Sequence, residues 1–259
     1  MPDARVDWPV QFSAASYGLR IQYNGFAQQT VTIPVTVGRN YWLSGDGQVD
    51  SSTGAGDLLR VLELALETYS LTALSATVTL DSNFRVRIVT PSNLTILWAD
   101  AATTIDPAIF GFAAATAGPA TTLTGANLPH GIWRPGRPLG MDSRDRQPIV
   151  GGVLMAQSGL IEVSRVALSY KTRDLSFAFI EPARTLTEYV AATEPTGAFE
   201  NLWVTAATAN RPLRVYADET SRSSSGYTQY KTRSVDDPIS RSGPNQYWFD
   251  VSLKLQRDS

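Results

Sequence analysis

The sequence predicts a mainly β chain built as two β-sandwich-like domains, each with one flanking α-helix. Three observations point there. Short runs with an apolar residue at every second position recur throughout, only two stretches repeat at the helical period, and a segment rich in small residues, proline and glycine separates them. At ~100–200 residues per domain, 259 residues accommodate two, each with its own core. The boundaries follow from composition: a β-rich domain over 1–112, a connection over 113–148 and a second β-rich domain over 149–259.

In the first half, residues 18–23, 29–37, 75–80 and 84–89 each place alternate apolar side chains on one face and read as half-buried strands. Pro34 has no N–H for a ladder, so its strand belongs at an edge or a bulge. Asp81, Ser82 and Asn83 form the turn that closes a hairpin. Leu58, Leu59, Leu62, Ala65 and Leu66 share one helical face, which predicts a helix with Asp57 as its N-cap. A further strand covers 93–98. A short helical turn follows at 106–110, with Pro107 in its first turn and Gly111 ending it.

The second half repeats this grammar. Strands are predicted over 149–155, 160–168, 175–180, 213–216, 227–233 and 247–255, with a helix over 196–207 where Phe199, Leu202, Trp203 and Ala206 share a face. The common order of strands, one amphipathic helix and strands suggests an internal duplication. Residues 1–16 and 217–246 read as looser segments.

Composition excludes several classes of function. With 22 basic and 24 acidic side chains, a formal net charge of −2 gives the whole surface no electrostatic drive toward nucleic acid. The absence of cysteine removes disulfides, thiolate nucleophiles and Cys-ligated zinc, and His130 stands as the single histidine. No apolar run approaches the ~20 residues that span a bilayer, and the N-terminus lacks the basic start and apolar core of a signal peptide. The expected site of synthesis is a cytoplasm, and no membrane partner is expected. Lys171, Lys231 and Lys254 are the only lysines, leaving 19 arginines. A GC-rich genome accounts for that skew, and so does a preference for planar contacts at interfaces.

Residues that could carry catalysis are few and scattered along the chain. His130 sits in a loop with no nucleophile or carboxylate beside it in sequence, and neither a Gly-x-Ser-x-Gly elbow nor a phosphate-binding Gly-x-x-x-x-Gly-Lys-Ser/Thr loop is present. Asp46 and Asp50 could offer oxygens to calcium, but their segment lacks the regular spacing and the closing bidentate acid, and reads as a turn. Asp100, Asp236 and Asp237 are the candidates for a glycosidase-like carboxylate pair, with turn and loop roles as their alternative. Neither cofactor nor catalytic residue is assigned. Trp8 and Trp133, in irregular segments, are read as interface anchors, with sugar platforms or a cover for their own core as alternatives. Arg134, Arg137, Arg144 and Arg146 join them as candidate contacts to a neighbouring subunit or to DNA phosphates, with a solvated loop face as the other reading.

Residues 199–203 (Phe-Glu-Asn-Leu-Trp), 211–218 (Arg-Pro-Leu-Arg-Val-Tyr-Ala-Asp) and 246–255 resemble segments of the structural tail proteins of tailed bacteriophages. Residues 41–47, the 57–68 helix and the 98–112 stretch are similar to segments of other phage virion proteins. The resemblance covers a minority of the chain. It implies a non-enzymatic virion protein of tail-tube or distal-tail type, made in the host cytoplasm. Such a protein self-associates into a ring, trimeric or hexameric, contacts other tail proteins and conducts DNA without reading its sequence. Capsid decoration, a neck protein, a carbohydrate-binding β-sandwich module and a carboxylate hydrolase are the alternatives. On this resemblance the looser residues 1–16 and 217–246 would be arms reaching neighbouring subunits, and deletion of 1–16 would leave the fold intact and impair polymerisation.

Overall fold

The computed structural model describes residues 3–43, 55–136, 144–146, 149–155, 161–167, 172–186, 199, 200, 203, 211–218, 227–232, 238–242 and 248–257. The chain is mainly β, as its alternation predicts, and two large sheets each bury a separate apolar core. The N-terminal part runs β1 (Arg5–Asp7), β2 (Ser16–Tyr23), β3 (Gln29–Pro34), β4 (Asn40–Trp42), β5 (Ala55–Asp57), helix α1 (Leu58–Glu67), β6 (Thr77–Leu80), β7 (Val86–Leu97) and β8 (Thr116–Thr124). It continues with β9 (Ile132–Trp133), β10 (Arg144–Arg146), β11 (Ile149–Met155), β12 (Ile161–Ala167), β13 (Thr172–Ile180) and the short helix α2 (Pro182–Thr185). Strands β14 (Pro212–Tyr216), β15 (Tyr227–Thr232), β16 (Ile239–Ser242) and β17 (Trp248–Arg257) complete it.

The first sheet has five strands in the order β3-β2-β7-β6, with β8 on the other flank of β7. Ile96 of β7 is paired with Ile21 of β2 on one side and Ala117 of β8 on the other. Strand β3 lies at the edge with Pro34 as its last residue, where a missing N–H breaks no ladder. Helix α1 packs on β3 and β6 and buries Leu58, Leu59, Val61, Leu62, Ala65 and Leu66. The Asp57 carboxylate accepts the N–H of Leu59 at 3.0 Å and of Arg60 at 3.4 Å, so it is the predicted cap. At 107–110 a 3-10 turn has Asp106 as its cap and left-handed Gly111 as its end.

Strands expected separately over 84–89 and 93–98 are one long strand, β7, which pairs with β8 on both sides of Pro91, over Arg87–Val89 and again at Leu94, Ile96 and Leu97, with the register shifting in between. The stretch 113–148 is not a plain connection, since β8 belongs to the first sheet and β9 and β10 to the second. Gly118 shows what β8 requires. At φ +101° its backbone comes so near β7 that a Cβ there would lie 2.3 Å from the Leu94 carbonyl oxygen, so only glycine fits.

The second sheet has eight strands in the order β10-β13-β17-β15-β14-β1-β9, with β16 also on β17. Its core holds Ala4, Val6, Trp8, Trp133, Leu175, Phe177, Phe199, Val215, Val251 and Leu253 among others. Residues 1–16 are therefore not a loose arm: β1 sits between β14 and β9, Phe12 is buried in the first core, and Val10 bridges to Tyr41. The two halves are not repeats of one unit either, because the sheets differ in strand number and order and the N-terminal strand belongs to the C-terminal sheet. Within 217–246, β15 and β16 are ladder strands, and β16 is one that the sequence reading omitted. Of the helix expected over 196–207, Phe199, Glu200 and Trp203 are described and helical. Register slips between Phe177 and Ile180 in β13, which lets both face the core and leaves Phe179 half exposed with a left-handed φ of +56°.

Candidate functional site

Period two along β1 and β14 determines what lies between the sheets. Ala4, Val6 and Trp8, with Leu213 and Val215, belong to the second core. The alternate residues Arg5, Asp7, Arg214 and Tyr216 share the opposite face, since Arg5 is paired with Tyr216 and Asp7 with Arg214. Arg5 is fully buried, and its guanidinium carbon lies 3.8 Å from the centre of the Tyr216 ring and 4.3 Å from that of Phe84. Its Nε donates to Asp7 Oδ1 at 2.9 Å. Arg214 repeats the arrangement, 3.9 Å over Trp42 and 4.2 Å over Tyr227.

Phe84 and Trp42 come from the N-terminal part of the chain, while Tyr216 and Tyr227 come from the eight-stranded sheet. Each arginine is thus the middle layer of an aromatic–guanidinium–aromatic stack joining the two parts. The guanidinium is planar and weakly hydrated, so it tolerates this burial better than an ammonium would. A desolvated cation–π contact contributes on the order of 2 kcal/mol. Part of the arginine excess is therefore spent inside the chain.

Trp133 and Trp8, expected as interface anchors, are core residues. Trp133 packs edge-on against Phe177 at 5.3 Å and tilted against Phe199 at 4.9 Å, and its Nε1 donates to the Arg184 carbonyl at 2.8 Å. Trp8 is buried in the same cluster and its N–H donates to the Gly131 carbonyl at 2.9 Å. Both satisfy the alternative in which a tryptophan covers its own core. Arg134 is half-buried beside the seam, its guanidinium 5.3 Å from the Phe84 ring centre and its carbonyl accepting from Arg184 Nη1 at 3.1 Å. Arg144 and Arg146 are paired with Asp174 and Thr172 at the β10 edge, the opposite edge of the sheet from β9 and Trp133. Arg137 lies outside the described residues. The structure thus separates Arg144 and Arg146 from Trp8, Trp133 and Arg134.

The acid–base candidates take structural positions. His130 is half-buried in its loop, and burial pushes its imidazole pKa below the usual value while the carboxylate of Asp106 opposes the shift. The Asp100 carboxylate accepts the Ala102 N–H at 2.8 Å within a turn. Asp46, Asp50, Asp236 and Asp237 lie outside the described residues. Among the described residues no group of three or more His, Cys, Asp or Glu side chains is placed to hold a metal ion, and no helix is long and apolar enough to cross a membrane.

Among the described residues three strands of the first sheet have a single strand partner; β6 pairs only with β7, and its Val78 N–H donates to the Glu63 carboxylate at 2.9 Å. Strand β3 pairs only with β2, and β8 only with β7. Neither contains a charged side chain: β3 reads Gln-Thr-Val-Thr-Ile-Pro and β8 Thr-Ala-Gly-Pro-Ala-Thr-Thr-Leu-Thr. Most of β8 is solvent-exposed. Charges, lysine above all, are the usual guard against pairing between chains; here the devices present are Pro34 in β3, Pro119 in β8 and the register shifts along the β7–β8 ladder. The scan against protein-family models matches none, and the search of curated proteins returns no match for this chain.

Proposed function

We propose that this chain is a structural subunit of a bacteriophage tail, of tube or distal-tail type, that assembles with its own copies into rings or a tube conducting DNA. The observation that carries the reading is the uncharged β8 edge of the first sheet, nine residues long and without a second strand partner among the described residues. The positions of His130 and Asp100 in loop and turn support a role in contact over one in catalysis. A formal charge of −2 suits a wall that lets DNA pass without gripping its phosphates.

The unlike sheets favour a ring in which each full chain is one repeat, six copies in a hexamer, over three copies with pseudo-sixfold symmetry. Electron microscopy of the purified protein tests the reading. Rings or tubes are expected; a dispersed monomer that binds glycans would replace it with a carbohydrate-binding module.

A further inference from the structure

None of the chain's 24 acidic residues lies in the five strands of the first sheet, and the charged residues of those strands are Arg20 and Arg87 alone. Register puts both on the face turned away from the core. Val78, Ile88 and Leu123 are paired across β6, β7 and β8 and buried, so Thr79, Arg87 and Thr124 form one row on the opposite face. Thr77, Val89 and Thr122 form the next row. On the other flank Leu19 and Val31 are paired and buried, so Arg20 and Thr30 stand outward, with Gly18 and Thr32 beside them. Arg87 and the six threonines are exposed, and the half-buried Arg20 donates from Nη1 to Thr30 Oγ1 at 3.2 Å. The eight-stranded sheet differs, because Asp145, Asp174 and Asp250 stand among its cations.

The chemistry of this face selects its occupant. A subunit interface is centred on apolar and aromatic side chains, and unpaired bases stack on aromatic platforms. The face offers neither, since Tyr17 and Tyr23, the only aromatic residues of the five strands, pack on the core. Arginine among threonine hydroxyls, with no carboxylate nearby to compete, is instead a donor set for phosphate oxygens. Such contacts position a duplex without reading its bases. Two cations per chain keep the contact weak, which suits DNA that moves past.

We infer that the outward face of the five-stranded sheet is a contact surface for the phosphodiester backbone of duplex DNA, held by Arg20, Arg87 and the threonine hydroxyls around them. The binding stands on this face alone; that the face lines a channel rests on the proposed function. Fluorescence anisotropy of a labelled duplex of mixed sequence, titrated with the full chain, tests it. Binding at low salt should weaken about tenfold between ~50 and ~200 mM, as ~0.9 counterions are released for each of two phosphates. Arg20→Glu/Arg87→Glu should lose binding at least tenfold while keeping its β circular dichroism and thermal transition. Arg241→Glu/Lys254→Glu makes the same charge change at exposed positions of the eight-stranded sheet and should lose about threefold at most. Arg87→Gln, a milder change at an exposed position, should lower the salt slope by about 1. No salt-dependent binding by the unmodified protein, or equal losses in the two double variants, overturns the inference. Rings or tubes from a protein that binds no duplex would leave the tail reading standing without this face. A monomer that binds duplex through Arg20 and Arg87 would keep the face and remove the tail reading.

Discussion

The guanidinium of Arg5 lies 4.3 Å from the centre of the Phe84 ring, and through this contact the first residue of β1 touches the turn between β6 and β7. Phe84 is buried at a left-handed φ of +62°, so the turn is shaped to present it. With Tyr216 beneath, the contact ties the eight-stranded sheet to the first core by a charge that is paired to Asp7 and enclosed by two rings.

Replacing Arg5 by methionine should therefore destabilise the chain by about 3–5 kcal/mol, because the buried Asp7 carboxylate loses a cation and both rings lose their filling. Arg5→Lys should recover only part of this, since an ammonium cannot lie flat between two rings. Urea unfolding midpoints of the three proteins check the order.

Deletion of residues 1–16 should abolish folding of the eight-stranded sheet. It removes β1 from between β14 and β9, and takes Val6 and Trp8 out of the second core. Loss of cooperative thermal unfolding and of soluble expression is the expected outcome; a folded, merely assembly-defective product would show that the segment is an arm after all.

Trp133→Ala should cost about 3–5 kcal/mol through the cavity left beside Phe177 and Phe199 and the loss of its hydrogen bond to the Arg184 carbonyl. Trp133→Phe keeps most of the volume and should cost less. Chemical denaturation followed by far-ultraviolet circular dichroism measures both.

His130 is the single histidine, so one imidazole signal in a proton NMR titration belongs to it. Burial holds its folded pKa below the ordinary 6.5, against the pull of Asp106, so the unfolded chain takes the proton more readily. Its contribution to stability is complete above pH 6.5 and is lost as pH falls from there through the folded pKa. The titration midpoint should lie below 6.5, and His130→Gln should flatten the fall in stability over that window.

Local chemistry explains what the sequence made legible. Asp57 before a helical stripe, Asp106-Pro107 before Gly111, and Pro34 in an alternating run each have one good structural solution, and each is found where it was expected. Strand β8 was hidden because alanine, threonine, Gly118 and Pro119 look like a connection; it becomes a strand only because β7 supplies a ladder and Gly118 allows the close approach. The seam was hidden for a related reason. Its alternation of Arg5, Asp7, Arg214 and Tyr216 with Val6, Leu213 and Val215 is a strand pattern, but the apolar residues fill one core while the charged ones are covered by rings distant in sequence. Trp8 and Trp133 were misplaced by the same logic, since β1 and β9 are too short to show a period.

Native mass spectrometry of the full chain at increasing concentration tests the central claim, that this is a subunit built to contact its own copies. A closed assembly at a fixed integer multiple of 28.1 kDa, six for the favoured ring, is predicted. A single species at 28.1 kDa across the whole range would contradict it.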